Sequence, residues 1–158
     1  MRKKDREVTD RNEILEIMRG CDVCRLALND PEGYPYILPL NFGMLLEGDK
    51  ISLVFHSALE GYKVELMKAD PRASFEMDRE HKLQYFEDQG RCTMAYESVM
   101  GRGRLRILGD DEKLAALKAL MSHYHPDREA PFATGAVPRT LVYVLEVESL
   151  TGKRKLPK

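Results

Sequence analysis

The segment YPYILPLNFGML, Tyr34 to Leu45, limits the fold more than any other stretch of the chain. It is apolar and extended. Pro35 and Pro39 exclude a helix interior, because each lacks the N–H that a helix must pair and its ring clashes with the preceding turn. Ahead of it, NDPEG is rich in residues that tolerate tight backbone geometry, and VCRLAL, Val23 to Leu28, reads as a strand. Behind it, EGDK turns the chain into a further strand, ISLVF, Ile51 to Phe55. Connections this short join antiparallel neighbours.

The rest of the chain extends the pattern. Asp10 and Glu13 have capping-box spacing ahead of ILEIM, which predicts a short helix over about residues 10–19, ended by Gly20. Ser57 and Glu60 repeat that spacing, so a second helix is expected from Ser57 to about Ala69, where Asp70-Pro71 stops it. RASFEMD, Arg72 to Asp78, alternates as a strand does. A longer strand region follows, bent near Tyr96–Ser98, and from Gly101 to Leu108 small or apolar residues alternate with Arg102, Arg104 and Arg106. DDEKLAALKALMSHY is the clearest helix, with Leu114, Leu117 and Met121 on one stripe. HPDREAPFATGAVP reads as a loop, and Arg139 to Leu150 as a final strand.

About six strands with hairpin-length connections in 158 residues predict a mainly β fold, a six-stranded antiparallel barrel closed to remove exposed edges. The two later helices would cover its open ends or flank it. One domain suits this length, with no internal repeat or long linker.

Composition narrows the function classes. The net charge is −1, so no general basic field recruits nucleic acid, and no basic aromatic stripe marks an oligonucleotide-binding barrel. No apolar run approaches the ~20 residues that span a bilayer, and the charged start MRKKDREVTDRNE lacks a signal-peptide core, so a cytoplasmic protein is expected. Three cysteines, Cys21, Cys24 and Cys92, do not make a disulfide framework. Cys21 and Cys24 have C-x-x-C spacing, but no second pair completes a zinc site, and the motif falls at a strand start. His123 and His125 have no third ligand nearby in sequence, so no metal is expected.

HSALEGYK, His56 to Lys63, is the candidate site. Gly61 would cost a helix interior roughly 1 kcal/mol against alanine, and Lys63 adds positive charge where the helix macrodipole is already positive. Two readings are open: a capped helix with a solvated lysine, or a bound anion, for which helix N–H groups, the Ser57 hydroxyl and the Lys63 ammonium would cradle a phosphate, with Gly61 allowing close approach. His56, at the mouth of such a site, is the candidate to orient substrate or donate a proton.

The order of RKKDREVTDRNEILEIM, CRLAL, GYPYILPLNFG, FHSALEGYKVELMKADPRASFEMD, YESVMGRGRLRIL and YVLEVESLTGKRK resembles the FMN-binding split-barrel superfamily that includes pyridoxamine 5′-phosphate oxidase. Within it, the sequence is most similar to the 5-nitroimidazole-resistance type of flavoprotein. The resemblance implies a homodimer with FMN in clefts between subunits. It places Pro39, Leu40 and Asn41 along the flavin ring, His56, Ser57 and Lys63 at the ring edge and phosphate, and Ser98 facing the flavin from the other side. The oxidase branch has an arginine just before the lysine; Tyr62 stands there in this chain, so Arg25, Arg102 and Arg104 are candidates to supply phosphate charge. The implied activity is FMN-dependent reduction of a small nitroaromatic. A flavin- or haem-binding module without turnover is the alternative from another class. Pyridoxamine phosphate oxidation is disfavoured, since the substrate-closing segment of that branch contains tryptophan and this chain has none.

Overall fold

The computed structural model describes residues 3–128, 132 and 135–157. Eight strands and three α-helices follow in the order β1 (Glu7–Val8), α1 (Arg11–Arg19), β2 (Cys24–Asn29), β3 (Pro35–Leu40), β4 (Gly43–Glu47), β5 (Lys50–Ser57), α2 (Tyr62–Ala69), β6 (Arg72–Phe86), β7 (Arg91–Ile107), α3 (Asp110–Tyr124) and β8 (Leu141–Lys155). All pairings are antiparallel, and the sheet runs β3-β2-β6-β7-β8-β5-β4, with β1 paired to the far end of β8.

The mainly β antiparallel architecture with flanking helices matches the expectation and is consistent with a split barrel; closure into six strands is not seen among the described residues. The described sheet has eight strands, and its path ends at β3 and β4 without those two pairing. The stretch read as one extended segment is two strands, broken at Asn41-Phe42. Pro35 and Pro39 lie on β3, which pairs only with β2, so their missing N–H groups face no partner strand. The two hairpin turns hold: Asn29 pairs with Pro35, and Glu47 with Lys50 around Gly48, whose φ of +58° suits glycine.

Strands β6, β7 and β8 have 15, 17 and 15 residues, longer than expected, and curl the sheet. Register shifts between Arg79 and Lys82 and between Arg102 and Gly103 mark where the ladder bends. Gly103 stands at the second shift because a Cβ there would lie 2.0 Å from the Glu146 carbonyl oxygen.

The inner face of the curled sheet carries Leu26, Leu53, Phe55, Phe75, Met77, Val99, Tyr143 and Leu145, and α1 and α2 seal it with Ile17, Met18, Val64 and Met67. Helix α3 lies apart from that core, on Val54, Val142 and Val144 through Ala116, Leu117 and Leu120. The expected stripe was turned by about one residue: Leu114 is exposed, whereas Lys113, Ala116, Leu117 and Leu120 are buried. The cause is a close approach, since a Cβ at Gly43 would come within 2.4 Å of Leu120 Cα, so the helix backbone rests on β4 at that position. Part of the loop expected over 125–138 lies outside the described residues. Among those described, no helix is long and apolar enough to cross a membrane.

Candidate functional site

The junction between β5 and α2 differs from the expected capped helix. Ser57 is the last residue of β5, and its hydroxyl donates to the Ala58 carbonyl at 2.9 Å instead of capping. The helix starts at Tyr62, and Gly61 is its N-cap, with φ +131°. Gly61 therefore costs the helix interior nothing. It is needed for its backbone angle, which side-chain-bearing residues rarely adopt, and a Cβ there would meet no atom within 4 Å. The space over this turn is open.

Lys63 is the second helical residue, so its charge sits at the positive end of α2. Partial loss of hydration, and then the charge of Lys63, push the His56 pKa down. His56 therefore favours its neutral form. Among the described residues, no ion pair includes Lys63 or His56. Two basic side chains thus lie near each other at a helix start that also carries Glu65 in its first turn, and neither forms an ion pair among the described residues.

Tyr62 holds that start in place. Its hydroxyl donates to Asp30 at 2.7 Å, and its ring meets Tyr36 edge-on at 5.3 Å. The bond to Asp30 raises the Tyr62 pKa to about 12. The helix start is in this way tied to the β2–β3 hairpin.

Pro39 and Leu40 end β3, opposite Arg25 and Cys24. Pro39 and Asn41 are exposed and Leu40 is half-buried. The next residue, Phe42, is buried, and its N–H donates to the Tyr124 hydroxyl at 3.0 Å, which donates in turn to the Asp22 carbonyl at 2.8 Å. His123 Nε2 donates to the Cys21 carbonyl at 2.8 Å while its ring packs on Phe42. The end of α3 thus clamps the 41–43 turn, a structural role for His123. The β4–β5 ladder begins at Gly43 and Val54; Pro39, Leu40 and Asn41 precede it in the chain, while His56 and Ser57 lie beyond it on β5, paired with Val142 and Leu141 of β8.

Arg25, opposite Pro39, donates to Glu76 at 3.0 Å and to Asp78 at 2.6 Å, which occupies its guanidinium. Ser98 and Arg102 fall elsewhere. On β8, His56 pairs with Val142 and Arg102 with Ser149, seven positions on, about 23 Å along an extended strand. Ser98 is farther still, opposite Lys153. Arg104 is held by Glu148 at 3.3 Å, and Arg106 by Glu146 and Glu112 at 2.9 and 3.0 Å. Within one chain, Ser98 and Arg102 are therefore set apart from His56 and Ser57 along the sheet.

The C-x-x-C pair belongs to the core. Cys21 and Cys24 are buried, the Cys21 thiol donates to the Ile17 carbonyl, and burial raises both pKa values to about 12, which keeps them as thiols. Among the described residues, no His, Cys, Asp or Glu cluster is arranged to hold a metal. The sequence reading missed Glu97, buried between Arg79 Nε at 2.6 Å and Arg154 Nε at 2.5 Å, with Arg154 also donating to Glu13 at 2.8 Å. Its signal was present: a carboxylate in the inward phase of an alternating strand, between Ala95 and Val99.

Comparison with solved structures places this geometry among known proteins. The chain is similar to a candidate 5-nitroimidazole antibiotic resistance protein from Bacteroides thetaiotaomicron, with 32% identity over 93% of this chain and 85% of that one and a TM-score of 0.81. It is similar to an FAD-binding protein from Mesorhizobium loti, with 25% identity over 96% and 98% of the two chains and a TM-score of 0.66. An FAD and heme binding protein from Mycobacterium smegmatis shares the fold at 19% identity, over 96% of this chain and 74% of that one, with a TM-score of 0.82. No curated protein matches. Residues 10–154 match the family described as pyridoxamine 5′-phosphate oxidase, and with nearly the whole chain spanned, the protein belongs to that family.

Proposed function

We propose that the protein is an FMN-dependent oxidoreductase that reduces small nitroaromatic compounds and works as a homodimer. The observation that carries this reading is the unanswered positive charge of Lys63, with His56 beside it, at the start of α2. The residues there fit a phosphate-bearing flavin. Lys63 and the first N–H groups of α2 would hold the dianion, and the open turn at Gly61 leaves room for it. Asn41 and the main chain of Pro39 and Leu40 would hold the ring edge.

FMN would supply the redox chemistry when bound, carrying electron pairs from a donor to the nitro group; reduction to the amine takes three such pairs with six protons and releases two waters. The protein binds, orients and excludes water. His56, kept neutral by its surroundings, would orient the substrate at the ring edge through a hydrogen bond, and would have to take up a proton before it could donate one. Ser98 and Arg102, too far along β8 to reach the Lys63 of their own chain, would complete the site of a second copy. That division supports a shared cleft.

Reduced nicotinamide should bleach the flavin, and a 5-nitroimidazole should restore its colour, with the amine as product. Flavin that binds but never cycles would favour a carrier, and a sharp Soret band a haem protein. Sedimentation should report a dimer. A monomer that holds FMN tightly would contradict the shared cleft.

A further inference from the structure

Beyond the strand bulge at Arg79–Lys82, the paired ends of β6 and β7 form an arm. Leu83, Tyr85 and Met94 are exposed on one of its faces, while Gln84, Phe86 and Thr93 on the other are half-buried. The second face looks across a cleft of about 750 Å³ toward the segment 5–10 and the end of β8. That volume suits a nucleotide-sized molecule, within the usual ~300–1,000 Å³ of small-ligand sites.

The cleft's charges are unevenly matched. Four carboxylates line it: Asp10 accepts the Glu13 N–H as the α1 N-cap, Glu13 pairs with Arg154, and Asp5 and Glu7 lie on the segment ahead of α1. Asp5 reaches only to 3.9 Å of Arg6. On the arm side, Arg91 lies 4.8 Å over the Phe86 ring, and the Lys155 ammonium donates to the Thr93 hydroxyl. Neither has a carboxylate partner among the described residues. Lost hydration, followed by the charges of Arg6 and Lys3, with Arg91 adding to them against Tyr96, lowers the Lys155 pKa. Cations gathered this closely repel one another, and a dianion between them would relieve that repulsion.

We propose that this cleft is a second ligand site that takes a phosphomonoester, bound by the guanidinium groups of Arg6 and Arg91 and the ammonium of Lys155, with Thr93 beside them. Arginine forks and a lysine point charge suit the several acceptor oxygens of such a group. On β8, Lys155 is thirteen positions from Val142, the partner of His56, so within one chain the cleft is distinct from the β5–α2 junction. The proposal goes beyond the flavin reading and does not need it.

Calorimetric titration of the full chain, with and without saturating FMN, tests it with adenosine 5′-monophosphate, inorganic phosphate and adenosine. The monophosphate should bind in both states and adenosine should not. Equal affinity for inorganic phosphate would identify the free ion as the ligand; weaker affinity would assign a role to the organic part. Arg91→Ala and Lys155→Ala should each weaken monophosphate binding at least tenfold, and Arg91→Lys should retain most of it. If Lys155→Ala does not fold, the Arg91 pair decides. Adenosine binding as well as its monophosphate, undiminished binding in Arg91→Ala, or no binding of either phosphate compound at millimolar concentration would overturn the proposal. Failure of FMN to bind would count against the flavin reading alone.

Discussion

Glu97 and Lys63 mark two regions that handle charge in opposite ways. At Glu97, three neighbouring strands contribute a row, Arg79–Glu97–Arg154, which Glu13 extends onto α1; each charge there has a partner at 2.8 Å or less. At Lys63, two basic groups meet at a helix start, and although Glu65 stands in the same turn, neither forms an ion pair among the described residues. The first arrangement joins α1 to the sheet and leaves no charge for a ligand. The second gives the fold nothing, since an unpaired ammonium at a positive helix end is unfavourable. A charge that does not serve the fold is evidence for a partner outside it.

Substitutions can break this contrast. The largest effect is expected at Glu97. Glu97→Gln strands two partly buried arginines, and losing one member of a buried ionic group costs about 3 kcal/mol or more. Urea unfolding should show that loss, with FMN affinity per folded molecule nearly unchanged. A mild effect would mean that solvent screens the row. Lys63→Ala should do the reverse: FMN binding should weaken by about 1.5–3 kcal/mol, the range for a charge-assisted hydrogen bond, with almost no change in the unfolding midpoint. Gly61→Ala should cost about 1 kcal/mol of stability or somewhat more, because alanine must hold a positive φ although nothing obstructs its methyl group.

A smaller effect sharpens the comparison through pH. The His56 pKa lies below its ordinary 6.5, so the folded chain binds fewer protons there than the unfolded chain. Any stability this gives is complete above about pH 6.5 and declines as the pH falls below it. NMR titration should find the pKa depressed in the free protein, partly restored in Lys63→Ala because burial remains, and raised when FMN binds. A His56 pKa that does not respond to FMN would separate it from the phosphate.

Local chemistry made much of the fold legible. Pro35, Pro39 and the turn clusters fixed the hairpins, and alternation showed Arg102, Arg104 and Arg106 on an exposed face. What escaped depends on contacts distant in sequence. The rotation of α3 follows from Gly43 meeting Leu120, and the engagement of Arg25 from Glu76 and Asp78 on another strand. The Ser57–Glu60 capping box was misread because that spacing does not report backbone angles, and Gly61 moved the helix start four residues on. The site was half legible: HSALEGYK pointed to the junction, but the separation of Ser98 and Arg102 from it appears only in the register of β8.

The central claim is that the phosphate of a flavin is held at the β5–α2 junction by the charge of Lys63. The most direct test compares FMN with riboflavin, which lacks the phosphate, in the unmodified protein and in Lys63→Ala. FMN should bind the unmodified protein more tightly by tenfold or more, and that preference should largely vanish in the variant while riboflavin affinity stays the same. A preference for FMN that survives the loss of Lys63 undiminished would contradict the account.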